Sequence, residues 1–281
     1  MSEELPHPVT GRPHPSPVPA GTDWPDEPAR PDTPIARSAA GVRRLAAGSR
    51  DLATVAARVS RCCACPRLVA WREEVAVEKR AAFRDEPYWG RPVPGWGDPE
   101  PRVLVVGLAP AAHGANRTGR NFTGDSSGDW LFASLHRTGF AELPTSRHAG
   151  DGQRLHGVRL VSPVRCAPPQ NKPTPQERDT CAPWIAREVE LLLPSVRTVV
   201  ALGVFGWAAT LRVLGAAGFE VPVPAPRFGH GVELTLRRPL GTGAITLLGC
   251  YHVSLHNTAT GRLTAEMLDA VLRRAGDLAL T

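Results

Sequence analysis

Four short apolar runs, residues 102–106, 158–162, 198–202 and 245–249, are separated by stretches whose apolar residues recur at helical spacing. Runs this short and this continuously apolar suit strands buried on both faces. The helical patterns lie at 52–59, 130–135, 183–193, 206–214 and 265–275. In the first, Leu52, Val55, Ala56 and Val59 share one face; in the last, Met267, Leu268, Val271 and Leu272 do so. Pro183 suits the first turn of its helix. Strands alternating with helices predict an α/β fold: a parallel sheet covered on both faces. With 42% apolar residues in 281, the chain can bury such a core. No apolar run approaches the ~20 residues that cross a bilayer, and no basic segment leads into an apolar one at the start. The expectation is a cytoplasmic protein with no membrane partner.

In open α/β sheets, ligands bind beyond the carboxyl ends of the strands. Two long loops leave such ends. The first, residues 107–128, contains Gly107-Leu108-Ala109-Pro110-Ala111, His113, Asn116-Arg117-Thr118-Gly119-Arg120 and Phe122-Thr123-Gly124-Asp125. Its glycines permit close backbone approach, and two arginines with one phenylalanine suit a stacked base and phosphates. It matches neither a P-loop nor a dinucleotide fingerprint. The second loop, residues 251–264, contains His252, Ser254, Leu255, Asn257, Thr258, Thr260 and Arg262. His252 can donate to a developing oxyanion, and the short polar residues can donate to phosphates. A parallel sheet puts both loops at one edge.

The six cysteines, in a chain of this expected compartment, point to metal or redox chemistry rather than disulfides. Cys62-x2-Cys65 is a local chelating pair, and Cys166 and Cys181 form a second, with Cys181 expected just before a helix that would favour its thiolate. Four thiolates suit tetrahedral zinc or an iron–sulfur cluster. The alternative is a redox-active Cys62/Cys65 pair with the others as packing residues. The net charge of +6 hides an acidic start: residues 1–36 carry −4 and the remainder +10. A basic body suits a polyanion. Residues 1–36 also hold 10 of the 29 prolines and little to bury, which predicts a disordered tail.

Taken together, the C-x-x-C, the 107–125 loop, the Val164-Arg165-Cys166-Ala167-Pro168-Pro169-Gln170-Asn171-Lys172-Pro173 segment leading to Cys181, and the 252–264 loop resemble the uracil-DNA glycosylase superfamily. The similarity is greatest to its type-b, or family 5, branch and covers roughly residues 50–275. It implies a three-layer α/β/α sandwich around a four-stranded parallel sheet, with residues 37–281 as the catalytic domain. It implies a structural 4Fe–4S cluster on Cys62, Cys65, Cys166 and Cys181, in preference to zinc. The implied partner is DNA carrying uracil or other deaminated bases, which a monomer would flip out and release by N-glycosidic hydrolysis.

By the same resemblance, Phe122 stacks on the base in a pocket with Gly107, Ala109, Ala111 and His113. Asn171 contacts the base or its water, and His252 donates to the base oxygen. Ala109 stands where other branches carry an acid. The water must then be held by Asn116, Asn171, Asp125 or the backbone near Ala111. Arg117, Arg120, Arg262, Ser254 and Asn257 are expected to meet DNA. Leu255 or His256 is expected to wedge into the vacated stack, the alternative for Leu255 being to pack under its loop. No lysine lies in these motifs, so no Schiff base and no lyase step are expected. The competing readings are a non-catalytic iron–sulfur or zinc module that binds nucleic acid, and a redox or regulatory iron–sulfur protein.

Overall fold

The computed structural model describes residues 4–238 and 243–280. A small antiparallel pair, β1 (Leu5–Pro6) and β2 (Pro13–His14), opens the chain. Helices α1 (Ala39–Ala47), α2 (Leu52–Ser60) and α3 (Pro66–Glu78) follow. Then come β3 (Trp96–Gly97), β4 (Val103–Val106), α4 (Ala115–Thr118), α5 (Ser126–Arg137) and β5 (Val158–Val161). The chain continues through α6 (Pro175–Leu192), β6 (Thr198–Leu202), α7 (Gly203–Ala216), β7 (Glu233–Arg237) and β8 (Ala244–Cys250). It ends with α8 (Leu255–Ala259) and α9 (Ala265–Leu280).

The four expected strands form the parallel heart of the sheet, in the order β5-β4-β6-β8. The sheet has six strands rather than four, because β3 and β7 add antiparallel edges. Two residues of β3 are too few to show any period, and β7 is mostly solvent-facing, so neither reads as a buried run. Alternation along the central strands sorts the core. Val103, Val105, Val200 and Leu248 meet α5 and α9 on one face. Leu104, Val106, Val199 and Leu247 meet α6 and α7 on the other. The result is an α/β/α sandwich. Helices α1 and α2 pack outside α6, around Cys181 and Trp184. Buried Glu188 of α6 accepts from Arg159 Nε (2.8 Å) and Arg165 Nη2 (2.6 Å), which fixes the segment that carries Cys166.

Helix α6 starts eight residues before the expected 183. Thr174 Oγ1 accepts from Glu177 N, and the Glu177 carboxylate accepts from Thr174 N, a reciprocal capping box with Pro175 at the first turn. Pro183 is therefore inside the helix.

The proline-rich segment 1–36 departs most from expectation. Over its described residues it is an ordered strap against the body, not a disordered tail. Val18, Trp24, Ala29 and Ala36 are buried, Trp24 with only 3% exposed. Trp24 Nε1 donates to Thr118 O (3.2 Å), Tyr88 N donates to Ser16 Oγ (2.9 Å), and Glu27 pairs with Arg91. Prolines suit an extended wrap that needs few backbone donors, and single apolar anchors leave no periodicity to read. His7, His148 and Trp24 cluster edge to face, with the two imidazole centroids 5.9 Å apart.

Trp24→Ala is expected to cost about 3 kcal/mol or more, the usual cost of deleting a buried indole. Urea unfolding reads this, and an unchanged midpoint would contradict a packed strap. Burial, reinforced by neighbouring positive groups, pushes His7 and His148 down to about 4. The unfolded chain takes up those protons near ~6.5, so it binds more protons than the folded chain between the two values. Stability should fall as pH drops through that window, and less steeply in His7→Gln. Equal slopes would count against the buried neutral pair.

Candidate active site

A cavity of about 600 Å³ opens at the carboxyl ends of β4, β6 and β8. Both loops singled out in the sequence reach it, together with the 162–171 segment and the β6–α7 turn. Ala109, Ala111, Phe122, Asp125, Asn171 and His252 line it, and Ser254, Leu255, Asn257 and Arg262 stand with them on its wall.

Phe122 and Asn171 both have left-handed backbones, with φ of 53° and 57°. For residues with side chains this conformation costs about 1–3 kcal/mol each, a strain typical of functional sites. Packing holds Phe122 there. A Cβ on Gly107 would lie 2.6 Å from Phe122 Cζ. Gly107 thus makes room for the ring and is not itself part of the cavity wall.

Asp125 caps α5, its Oδ1 accepting from Gly128 N at 2.9 Å. Its other oxygen lies against Gly114, where a Cβ would collide with it. Burial pushes this carboxyl up. Asp125 is the one acidic side chain among the described residues of the cavity wall. His252 is pushed below its ordinary value by burial, so its ring is neutral near pH 7. Asn257 Nδ2 donates to His252 O (2.8 Å), and buried Val253 anchors the turn between them.

Several expected contacts fall elsewhere. Asn116 is fully buried, its amide donating to Arg72 O at 3.2 Å, and does not line the cavity. Arg117 and Arg120 are each only 3% exposed, so they brace the loop rather than meet phosphates. Arg117 pairs with Glu86 and donates to Gly124 O (2.8 Å). Arg120 pairs with Asp151 (2.6 Å) and donates to Ser146 Oγ (2.8 Å). Glu86, Asp151 and Ser146 lie 26 to 31 residues away in sequence, so only tertiary folding brings them to the loop. The His113 ring bonds Tyr88 Oη at 3.1 Å, outside the cavity. Arg262 remains at the mouth, over the Tyr251 ring. Leu255 is 64% exposed and not packed under its loop. Tyr251, Phe205 and Phe228 add an aromatic wall that the sequence reading missed. The position of Phe205, three residues past the end of β6 at Leu202, was the available signal.

The four expected cysteines line one small cavity beside α3, although no three His, Cys, Asp or Glu side chains among the described residues close around a single metal ion. Cys65 precedes α3, Cys62 follows α2, and Cys166 lies between β5 and α6. Cys181 lies within α6, not at its start, so the helix terminus does not favour its thiolate. None of the four is in a disulfide. Burial, then the neighbouring sulfurs, push Cys62 up to about 11 and Cys65 up to about 12, and raise Cys181 as well. A cationic inorganic centre would reverse that penalty. Four sulfurs around one cavity are the donor set that either an iron–sulfur cluster or a tetrahedral zinc ion takes. Cys63 stays outside, its thiol donating to Arg61 O (3.6 Å).

Residues 94–275 match the family model described as the uracil DNA glycosylase superfamily. A type-5 uracil-DNA glycosylase from Mycobacterium tuberculosis is 56% identical over 97% of this chain and 98% of its own length. The type-5 uracil-DNA glycosylase of Thermus thermophilus is 55% identical over 78% of this chain and 94% of its own. A type-4 uracil-DNA glycosylase from Thermotoga maritima is 31% identical over 53% of this chain and 60% of its own. With the family model matched over residues 94–275 and similarity to type-5 relatives along nearly its whole length, the chain belongs to the uracil-DNA glycosylase superfamily, in its type-5 branch.

Proposed function

We propose that the chain is a monofunctional DNA-repair glycosylase that draws uracil and other deaminated bases, hypoxanthine among them, into the cavity and hydrolyses the N-glycosidic bond. The convergence of Phe122, Asn171, Asp125 and His252 on one cavity carries this reading. A base within a duplex is out of reach, so it must rotate out of the stack. Phe122 offers a ring to stack on, and the Asn171 amide offers a donor and an acceptor to its edge. As the C1′–N bond breaks, its electron pair passes to the base. Neutral His252 donates a hydrogen bond to the base oxygen where that charge gathers, an interaction strongest in the transition state.

With Ala109 in place of an acid, Asp125 supplies the carboxylate on the cavity wall that can hold the attacking water, alongside the Asn171 amide and the backbone near Ala111. The water oxygen bonds to C1′ and its proton passes to the carboxylate, leaving an abasic site. Burial makes this carboxylate a better base than an exposed one. One chain supplies every residue named, which supports action as a monomer. Among the described residues no helix is long and apolar enough to cross a membrane, in keeping with work on cytoplasmic DNA.

Cys62, Cys65, Cys166 and Cys181 are the residues that would hold a 4Fe–4S cluster. Bound there, it would cross-link α2, α3 and the segment that delivers Asn171, a structural service with no part in bond cleavage. A non-catalytic module would have no use for a partly buried neutral histidine and a raised carboxyl facing one cavity.

On duplexes with a single uracil or hypoxanthine, His252→Ala should lower single-turnover excision by about 10²-fold or more, the usual cost of losing an oxyanion donor. Phe122→Ala should also slow excision. Full activity in both would overturn the pocket assignment. Leu255 and Arg262 stand where DNA would meet the cavity mouth. Leu255→Ala should slow excision of paired uracil more than of single-stranded uracil, since only the duplex has a vacated stack to fill. Equal losses would remove the wedge role.

A further inference from the structure

We infer that Arg72 is a positioning residue that ties the cysteine-held group to the base pocket. Its guanidinium holds the Cys166 sulfur, and its backbone carbonyl holds the first pocket loop through Asn116. The inference rests on the cluster reading above.

Arg72 lies in α3, the helix that Cys65 opens, and is 2% exposed. Its Nη1 donates to Cys166 Sγ (3.1 Å) and Cys62 O (3.0 Å), and its Nη2 is 3.5 Å from Cys63 Sγ. Among the described residues its one carboxylate partner is half-exposed Glu73, at 3.5 Å, and its Nε has no hydrogen-bond partner. Burying a guanidinium is costly unless an anion faces it. Neutral thiols are poor acceptors and supply no countercharge. Metal-bound thiolates supply both, so the placement of Arg72 suits anionic sulfur at Cys166.

The backbone of the same residue faces the pocket. Arg72 O accepts from Asn116 Nδ2 at 3.2 Å, Asn116 N donates to Ala111 O at 3.0 Å, and Gly90 N donates to Asn116 O at 2.9 Å. Ala111 and Ala115, both just before this anchor in the chain, line the base cavity. On the other side, Cys166 lies five residues before Asn171 in the segment that delivers that amide. Arg72 therefore grips both walls of the pocket, one through sulfur and one through Asn116. This gives Asn116 a role that its burial otherwise leaves unexplained. A hydrogen-bonding cation on a ligand sulfur also stabilises the more negative, reduced state of a cluster and its retention.

The test compares wild type, Arg72→Met, Arg72→Lys and Asn116→Ser as purified holoproteins. Iron content, visible absorption, reduction potential and single-turnover excision are measured for each. The wild type should carry about four irons. Arg72→Met should shift the potential to more negative values, bleach with chelator about tenfold faster or more, and excise more slowly. Arg72→Lys, which keeps the charge but not the planar fork, should give an intermediate shift, and it carries the test if the Met variant fails to fold. Asn116→Ser should keep wild-type iron and potential yet excise more slowly. A loaded wild type with unmoved potentials in both Arg72 variants would overturn the Arg72 assignment alone. Full excision by Asn116→Ser would overturn the link to the pocket. A wild type without iron would overturn the cluster reading and this inference with it.

Discussion

Burial of four parallel strands on both faces is the constraint from which the rest follows. Val103 and Val105 face one helical layer, while Leu104 and Val106 face the other. No side chain in the middle of β4 is free for chemistry. Reactive groups are confined to the strand ends, and the carboxyl ends gather Ala109 after β4, Phe205 after β6 and His252 after β8. Parallel order matters here because it brings loops distant in sequence to the same edge.

The pocket is assembled under strain, and its walls are braced from behind. Phe122 and Asn171 hold left-handed backbones. Gly107 makes the space that Phe122 needs, and Gly114 does the same for Asp125. Arg117 and Arg120 spend their charge on Glu86 and Asp151, and so fasten the loop that carries both residues. The N-terminal strap adds Trp24 against Thr118. The basic body therefore overstates what reaches DNA, because much of the arginine in the first loop is internal.

Much of this was legible in the sequence. The four central strands lie within a residue of the runs that announce them, since a doubly buried strand leaves a continuous apolar signature. Phe122, Asn171 and His252 were legible as strand-end or motif residues, and the four cysteines by spacing and resemblance. Other features had no local signal. Nothing beside Arg117 announces Glu86, and nothing beside Asn116 announces Arg72, because those partners arrive through tertiary folding. The strap's anchors are isolated within proline-rich sequence. The early start of α6 was legible and overlooked: Thr174-Pro175-Gln176-Glu177 spells out its capping box.

A monofunctional glycosylase removes a base and leaves the DNA backbone intact. An end-labelled duplex with a single uracil tests it directly, with strand cleavage compared before and after alkali. The expected result is no cleavage by the protein alone and cleavage at the uracil position once alkali is added. An alkali-stable product would contradict glycosylase activity, and cleavage without alkali would contradict a purely hydrolytic mechanism.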